Sequence, residues 1–331
     1  MVPSVEISAS PTSPGTVEIA RDVIVVGQSA SYSPSGTWFA FTARPADGST
    51  GPDIYLWRVA GGAEAHPVTQ DHRSELGGWS GDVIVGSTAV DTPNGTLPTT
   101  FVIDAQSGKQ TMRPEVGPAW RPTVDPSSRQ AVYWTGTLRP TLDGPGFAPD
   151  AGRLVVGAWS GADGTAGASP SPSASAAGSG STTSGGSESA SAAASGGADA
   201  AASSDPSAAA SLDQARTRNE TTIVAGHISD WDARWDETGT RLAVWIADDT
   251  DPSVGRLSVY AVDSFSGQID LKKPLVDGRL AKAGFAIGKG RIVWAEPAKS
   301  GSGEGRIFVF AWTDQGTGEV EGVPGKVIVI R

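Results

Sequence analysis

The chain has 331 residues, with 36 acidic against 25 basic side chains, a net charge of −11, three histidines and no cysteine. The missing cysteines exclude thiol catalysis, disulfides and thiolate metal sites, and a three-histidine metal centre would require His66, His72 and His227 together. The acidic balance excludes nucleic acid as a partner, because binding a phosphate backbone needs a basic footprint.

Residues 1–15, "MVPSVEISASPTSPG", form a Ser/Pro-rich tether without the charged and apolar regions of a signal peptide, and the native chain is expected to continue upstream. No apolar run approaches the roughly 18 residues of a membrane span, so membrane attachment would use a segment outside this chain. From residue 16 the chain reads as short β runs punctuated by Gly, Pro, Asp and Ser. Five stretches share a pattern: "ASYSPSGTWFAFTA" (30–43), "LGGWSGDVIVGSTA" (76–89), "PAWRPTVDPSSRQAVYWTG" (118–136), "ARWDETGTRLAVWIA" (233–247) and "AGFAIGKGRIVWAE" (283–296). A second strand-like run follows each: "DIYLWRV" (53–59), "TTFVIDA" (99–105), "GRLVVGAW" (152–159), "GRLSVYAVD" (255–263) and "GRIFVFAWT" (305–313). A period of about 40–50 residues with several β runs per unit predicts propeller blades.

Residues 162–211 are almost wholly Ala, Gly, Ser, Thr and Pro, a composition that predicts disorder. The repeat continues on both sides of them, so 16–161 and 212–331 are expected to be one domain, with the insertion inside the third blade. The predicted fold is an all-β propeller of four-stranded antiparallel sheets, with five blades favoured and six as the alternative. Pairing of "TVEIARDVIVVG" (16–27) with "GKVIVIR" (325–331) is expected to close the ring.

The turns "YSPSGTWFAF" (32–41) and "WDETGTRLAVW" (235–245) resemble the repeat of TolB-like, WD-repeat-like bacterial propellers: an aromatic, a short polar turn ending in Gly, then an apolar strand. The resemblance covers nearly all of 16–331 outside the insertion. The tether and propeller together are similar to the extracytoplasmic half of membrane-anchored envelope proteins, some of them anti-sigma factors. That resemblance implies an extracytoplasmic chain recognising a protein partner or small ligand.

Trp134, Trp245 and Trp294 recur in one strand position, and Trp79, Trp120 and Trp235 in another; repeated placement predicts packing between blades. Trp231 lies outside these positions and is the best exposed aromatic candidate. The loops between second and third strands are long and polar. Asp47, Asp91, Asp143, Asp248, Asp249, Asp251 and Trp231 are therefore the expected partner-binding face. The aspartates of "DDTDPS" (248–253) read first as bends and second as hard oxygen donors for calcium. The Gly-Arg pairs at Arg153, Arg256 and Arg306 read as contacts between neighbouring blades. No nucleophile elbow, phosphate loop or dinucleotide fingerprint is present. The leading expectation is a non-catalytic recognition propeller with no cofactor, metal or catalytic residues. The alternative is a propeller hydrolase or lyase with a carboxylate-lined central channel, for which Asp230, Asp232 and His227 are the candidates.

Overall fold

In the computed structural model, the residues described are 17–61, 64–142, 144–159, 220–262, 269–270, 276–282, 284–288, 290–296, 306–311 and 321–324. They form a five-bladed β-propeller. Blade one is β1 (Val23–Tyr32), β2 (Trp38–Pro45), β3 (Asp53–Arg58) and β4 (His66–Pro67), in sequential antiparallel order. Blade two is β5 (Ser74–Ser80), β6 (Val83–Thr92), β7 (Gly95–Asp104) and β8 (Gln110–Met112), and a 3₁₀ turn at Pro114–Val116 leads out of it. Blade three is β9 (Trp120–Val124), β10 (Gln130–Pro140), β11 (Phe147–Ala158) and β12 (Thr221–Ala225). Blade four is β13 (Trp231–Trp235), β14 (Arg241–Ala247) and β15 (Val254–Val262), with β16 (Ile269–Asp270) and β17 (Val276–Ala281) both on the outer edge of β15. Blade five is β18 (Phe285–Gly288), β19 (Arg291–Glu296), β20 (Arg306–Ala311) and β21 (Glu321–Pro324).

The sequence flanking the insertion meets within one sheet, where Arg153 of β11 pairs with Ala225 of β12 and Val156 with Thr221. The insertion thus joins the third and fourth strands of blade three. The expected ring closure is corrected at its first half. Val23–Tyr32 is the inner strand of blade one, paired with β2 across a bulge between Val26 and Ser31; residues 325–331 lie outside those described.

Blades two and three share an eight-stranded sheet. Much of the sequence expected as loop at 90–99 and 138–152 extends the β6–β7 and β10–β11 hairpins instead, and Leu138 pairs with Thr96 where they meet. The β10–β11 hairpin runs on because the chain continues to alternate and pair in register up to Pro140–Phe147.

A strand's side chains alternate between faces, so a blade buried on both sides needs continuous apolar runs. In β10, Val132 and Trp134 face the cluster shared with blade four, whereas Ala131 and Tyr133 face that shared with blade two. Likewise Leu242, Val244 and Ile246 of β14 face blade three, while Ala243, Trp245 and Ala247 face blade five. Trp79, Trp120, Trp134, Trp245 and Trp294 are all buried, and Trp235 is half-buried against the cluster between blades three and four. Each such ring removed from water contributes about 2–3 kcal/mol of hydrophobic stabilisation.

The structure reassigns two tryptophans. Trp120 stands five residues before Asp125, and Trp231 five before Asp236; both aspartates cap the turn after the inner strand, accepting two backbone N–H groups on Oδ1. Trp120 and Trp231 are therefore equivalent, and Val124 rather than Trp120 matches Trp235. Trp231 is not exposed. Each of the two opens its inner strand and is fully buried in the cluster between blades three and four.

In the recurring Gly-Arg pair, glycine carries the constraint. A Cβ on Gly152 would lie 2.2 Å from the Thr135 carbonyl oxygen and 2.9 Å from the Trp134 ring. One on Gly255 would lie 2.2 Å from the Ile246 carbonyl oxygen and 2.6 Å from the Trp245 ring. The expected interblade arginine contact is corrected: Arg153 pairs at 2.6 Å with Glu220, which immediately precedes β12, the strand neighbouring its own, and Arg256 is exposed. Gly255→Ala is expected to lower stability by about 2–3 kcal/mol, because the tryptophan and the carbonyl must both give way. A urea titration against Arg256→Ala, expected to be nearly neutral, checks this.

Candidate functional site

The inner strands pack in sequence around an axis: β1 on β5, β5 on β9, β9 on β13 and β13 on β18, with β1 also touching β13. On β13, Asp232 and Arg234 are two residues apart and share a face, and Asp230 precedes the strand in the same phase. Trp231 and Ala233, on the other face, enter the core. Opposite these residues stand Gln28 and Ser29 of blade one, Glu75 of blade two, Arg121 of blade three and Lys282 ahead of β18. Blades two, three and four and the segment ahead of β18 thus place three carboxylates and three cations together at the end of the axis from which the β14–β15 loop emerges.

Arg121 is the centre of the upper tier. Its Nη2 donates to Asp230 Oδ1 at 2.9 Å, its Nη1 lies 3.6 Å from Glu75 Oε2, and its guanidinium stacks 4.9 Å above the Trp231 ring. Lys282 Nζ donates to the other Asp230 oxygen at 2.5 Å. In the lower tier, Ser29 Oγ donates to Asp232 Oδ2 at 2.5 Å and accepts from Arg234 Nη2 at 2.7 Å. Arg234 also donates to Asp232 and to the Phe285 carbonyl, and stacks 4.3 Å over the Phe285 ring. Gln28 Oε1 accepts from the Ala233 N–H at 3.3 Å.

Two features set Glu75 and Arg121 apart from ordinary ion pairs. Arg121 has φ +52°, a conformation costly for a residue with a side chain and usually retained where the surroundings over-determine it. Glu75, with its side chain 5% exposed, has Oε2 without a hydrogen-bond partner. Burial pushes its carboxyl up to about 7; Arg121 and Lys282 oppose that rise, and Asp230 adds to it. Burial also raises Asp230, but Lys282 and Arg121 outweigh it and hold that carboxyl below its usual range. The two carboxylates are thereby pushed apart, one ionised and one able to exchange a proton near neutral pH.

Of the sequence candidates, Asp230 and Asp232 are brought together here, each neutralised by a cation. His227 is not: it is exposed, with Nε2 3.2 Å from Arg139 Nη2, and its place in the channel is corrected. Glu75, Arg121 and Lys282 were missed, although charges within the apolar runs "SELGGWS", "PAWRP" and "RLAKAGF" were a readable signal.

The expected partner face is spread over separate loops. Asp47 accepts from the Ser49 N–H at 2.9 Å, and this backbone hydrogen bond lowers its carboxyl. Asp91 is held by both Arg73 nitrogens at 2.9 Å, which lower it. Asp248 accepts the Thr250 hydroxyl at 2.5 Å, the main cause of its lowering, and Asp251 accepts the Ser253 hydroxyl at 2.6 Å. The aspartates at 248–253 therefore act as turn caps, and Asp249 is exposed beside them. Trp231, the seventh member, lies beneath Arg121 rather than at the surface, and Asp143 falls outside the described residues. No group of three or more His, Asp or Glu side chains among the described residues is arranged to hold a metal ion.

No family model matches this chain, and no curated protein matches it. Among solved structures, it is similar to a prolyl endopeptidase (11% identity, TM-score 0.42), covering 92% of this chain and 36% of that one. It is also similar to the propeller domain of the trilobed protease of Pyrococcus furiosus (10% identity, TM-score 0.40, 90% and 71% covered). A third is the acylaminoacyl peptidase of Pyrococcus horikoshii (12% identity, TM-score 0.38, 89% and 38% covered). The chain spans little more than a third of the first and third of these. The likeness concerns the fold. The similar solved propellers come from peptidases, against the expectation of a non-catalytic chain, and at these similarities they carry the fold alone. The axis also carries a convergent charged set, of which the sequence offered Asp230 and Asp232 but not their partners Arg121 and Lys282.

Proposed function

We propose that this is the propeller of an enzyme, a hydrolase or lyase, working at the carboxylate-lined mouth of its central channel. The observation that carries this reading is Glu75: a buried carboxyl whose Oε2 accepts no hydrogen bond and faces Arg121 at 3.6 Å, titrating near neutrality. Such a group can remove or return a proton at physiological pH. Fixed cations beside it stabilise negative charge that develops on a reacting oxygen. Asp230 holds both cations in place, and Ser29, Asp232 and Arg234 are tied to one another by hydrogen bonds in the lower tier. The TolB-like resemblance and the tether support an extracytoplasmic placement, with membrane attachment through a segment outside this chain. The loops bearing Asp47, Asp91, Asp248, Asp249 and Asp251 would receive a protein partner or small ligand.

The test is turnover on a panel of esters, amides, glycosides and β-elimination substrates, with wild type and Glu75→Gln purified side by side. The expected result is wild-type activity with a pH–rate limb near 7, reduced at least a hundredfold in Glu75→Gln while circular dichroism is unchanged. Absence of turnover on the whole panel, or equal activity in the variant, would sink the reading.

A further inference from the structure

Resting on the axial cluster as the working site, we infer that Phe147, at the end of the β10–β11 hairpin, is a gate at the mouth of the axis, and that its swing away from Arg73 and Trp120 admits substrate to Glu75. A group that takes a proton from substrate must come within hydrogen-bond reach of it. In this conformation that reach is denied. The side chains of Glu75 and Arg121 are 5% and 4% exposed, against 30% for Asp230 and 25% for Lys282. Some element at this end of the axis must therefore move, and the hairpin emerges there, from the same face as the β14–β15 loop. The Phe147 ring meets that of Trp120 edge-on at 6.5 Å, and the Arg73 guanidinium stacks on it at 4.7 Å. Trp120 directly precedes Arg121, and Arg73 stands two residues before Glu75. The ring thus rests on the two backbone segments that carry the buried members of the cluster.

The hairpin is fixed at its base and free at its end. Leu138 and Ala148 are buried, and Leu138 pairs with Thr96 of blade two. Beyond them Pro140 and Leu142 are exposed, and Phe147 is only half-buried. Gly146, immediately before Phe147, has φ +157°, and Gly144 has φ +142°. Such backbone favours glycine and can absorb the rotation that swings the ring. Arg73 stays in place when the ring leaves, because both its terminal nitrogens are bound to Asp91 at 2.9 Å. A second fastening lies on blade one, where a Cβ on Gly144 would stand 2.2 Å from Arg44 Nη1. One cation–π stack and one edge-to-face pair make a latch weak enough to open and reclose without unfolding the blade.

The chain has no cysteine, so Glu75→Cys supplies a single thiol at the guarded position, and its alkylation by iodoacetamide under native conditions reads the open population. Adding Phe147→Ala should raise the labelling rate about tenfold, the effect of losing both ring contacts. Arg44→Ala, which leaves the core untouched, should raise it less. Gly255→Ala destabilises a distant blade without touching the gate, and should leave the rate unchanged. An unchanged rate in both gate variants would overturn the inference. So would an equal rise in Gly255→Ala, because labelling would then pass through unfolding of the whole chain. The turnover panel fails separately: gate-dependent labelling without turnover removes the enzyme reading and leaves the gate standing, whereas Glu75-dependent turnover with labelling indifferent to Phe147 removes only the gate.

Discussion

Glu75→Gln will raise the stability of the protein above neutral pH and flatten its dependence on pH between 4.5 and about 7. In the folded chain the Glu75 carboxyl is pushed from 4.5 up to about 7, chiefly by burial. Within that window the folded state holds a proton that the unfolded state has released. Stability attributable to Glu75 is therefore fully present below pH 4.5, declines as pH rises, and is lost above about 7. A rise of that size corresponds to about 3 kcal/mol, a large share of the stability of an ordinary domain. Glutamine keeps the shape and the neutral state of the protonated acid, so the variant should lack this decline. Urea titrations of both proteins at pH 5 and pH 8 measure it: the difference in stability, variant minus wild type, should grow by about 3 kcal/mol between the two. A pH-independent difference would mean that Glu75 is ionised throughout, paired with Arg121, and would remove its role as a proton-exchanging group.

The propeller was legible in the sequence because a blade buried on both faces leaves a strong local mark. Runs such as "AVYW" and "LAVW" lack polar alternation, and the short capped turns before them recur. The hairpin extensions were not legible, since a polar, Gly- and Pro-containing stretch such as 138–152 reads the same whether it pairs or loops. Register was the weaker inference. Counting from Trp120 as though it matched Trp235 concealed its equivalence with Trp231, and so placed a buried ring at the surface. The turn aspartates Asp125 and Asp236 were the better ruler, because capping two N–H groups fixes their position relative to the strand. The axial cluster was half visible. Asp230 and Asp232 stood out as a same-face pair, but the sequence could not tell that their partners come from residues 29, 121, 234 and 282. A ring brings distant inner strands together, and only closure reveals which charges meet.

Arg121→Met tests whether that meeting holds the ring together. Arg121 bridges Glu75 of blade two and Asp230 ahead of blade four, and its stem and guanidinium cover Trp231. Methionine retains much of the apolar stem and the same backbone strain at φ +52°, so the substitution isolates the charge. Removing one partner from a buried ionic group typically costs about 3–5 kcal/mol. Asp230 keeps Lys282 at 2.5 Å, and Glu75 can shed its charge by protonation, so the loss should depend on pH. Without Arg121, which opposes the rise of the Glu75 carboxyl, Glu75 is driven further above 7 and its burial as an anion becomes costlier. The expected loss is about 3 kcal/mol or more at pH 8 and clearly less at pH 5. Arg121→Met combined with Glu75→Gln should recover part of the pH 8 loss, because no anion is then left without its cation. A double-mutant cycle by urea unfolding at both pH values reads this coupling. Strict additivity at pH 8 would show that the two side chains do not share their charge across the axis, and the cluster would then be packing rather than a coupled ionic site.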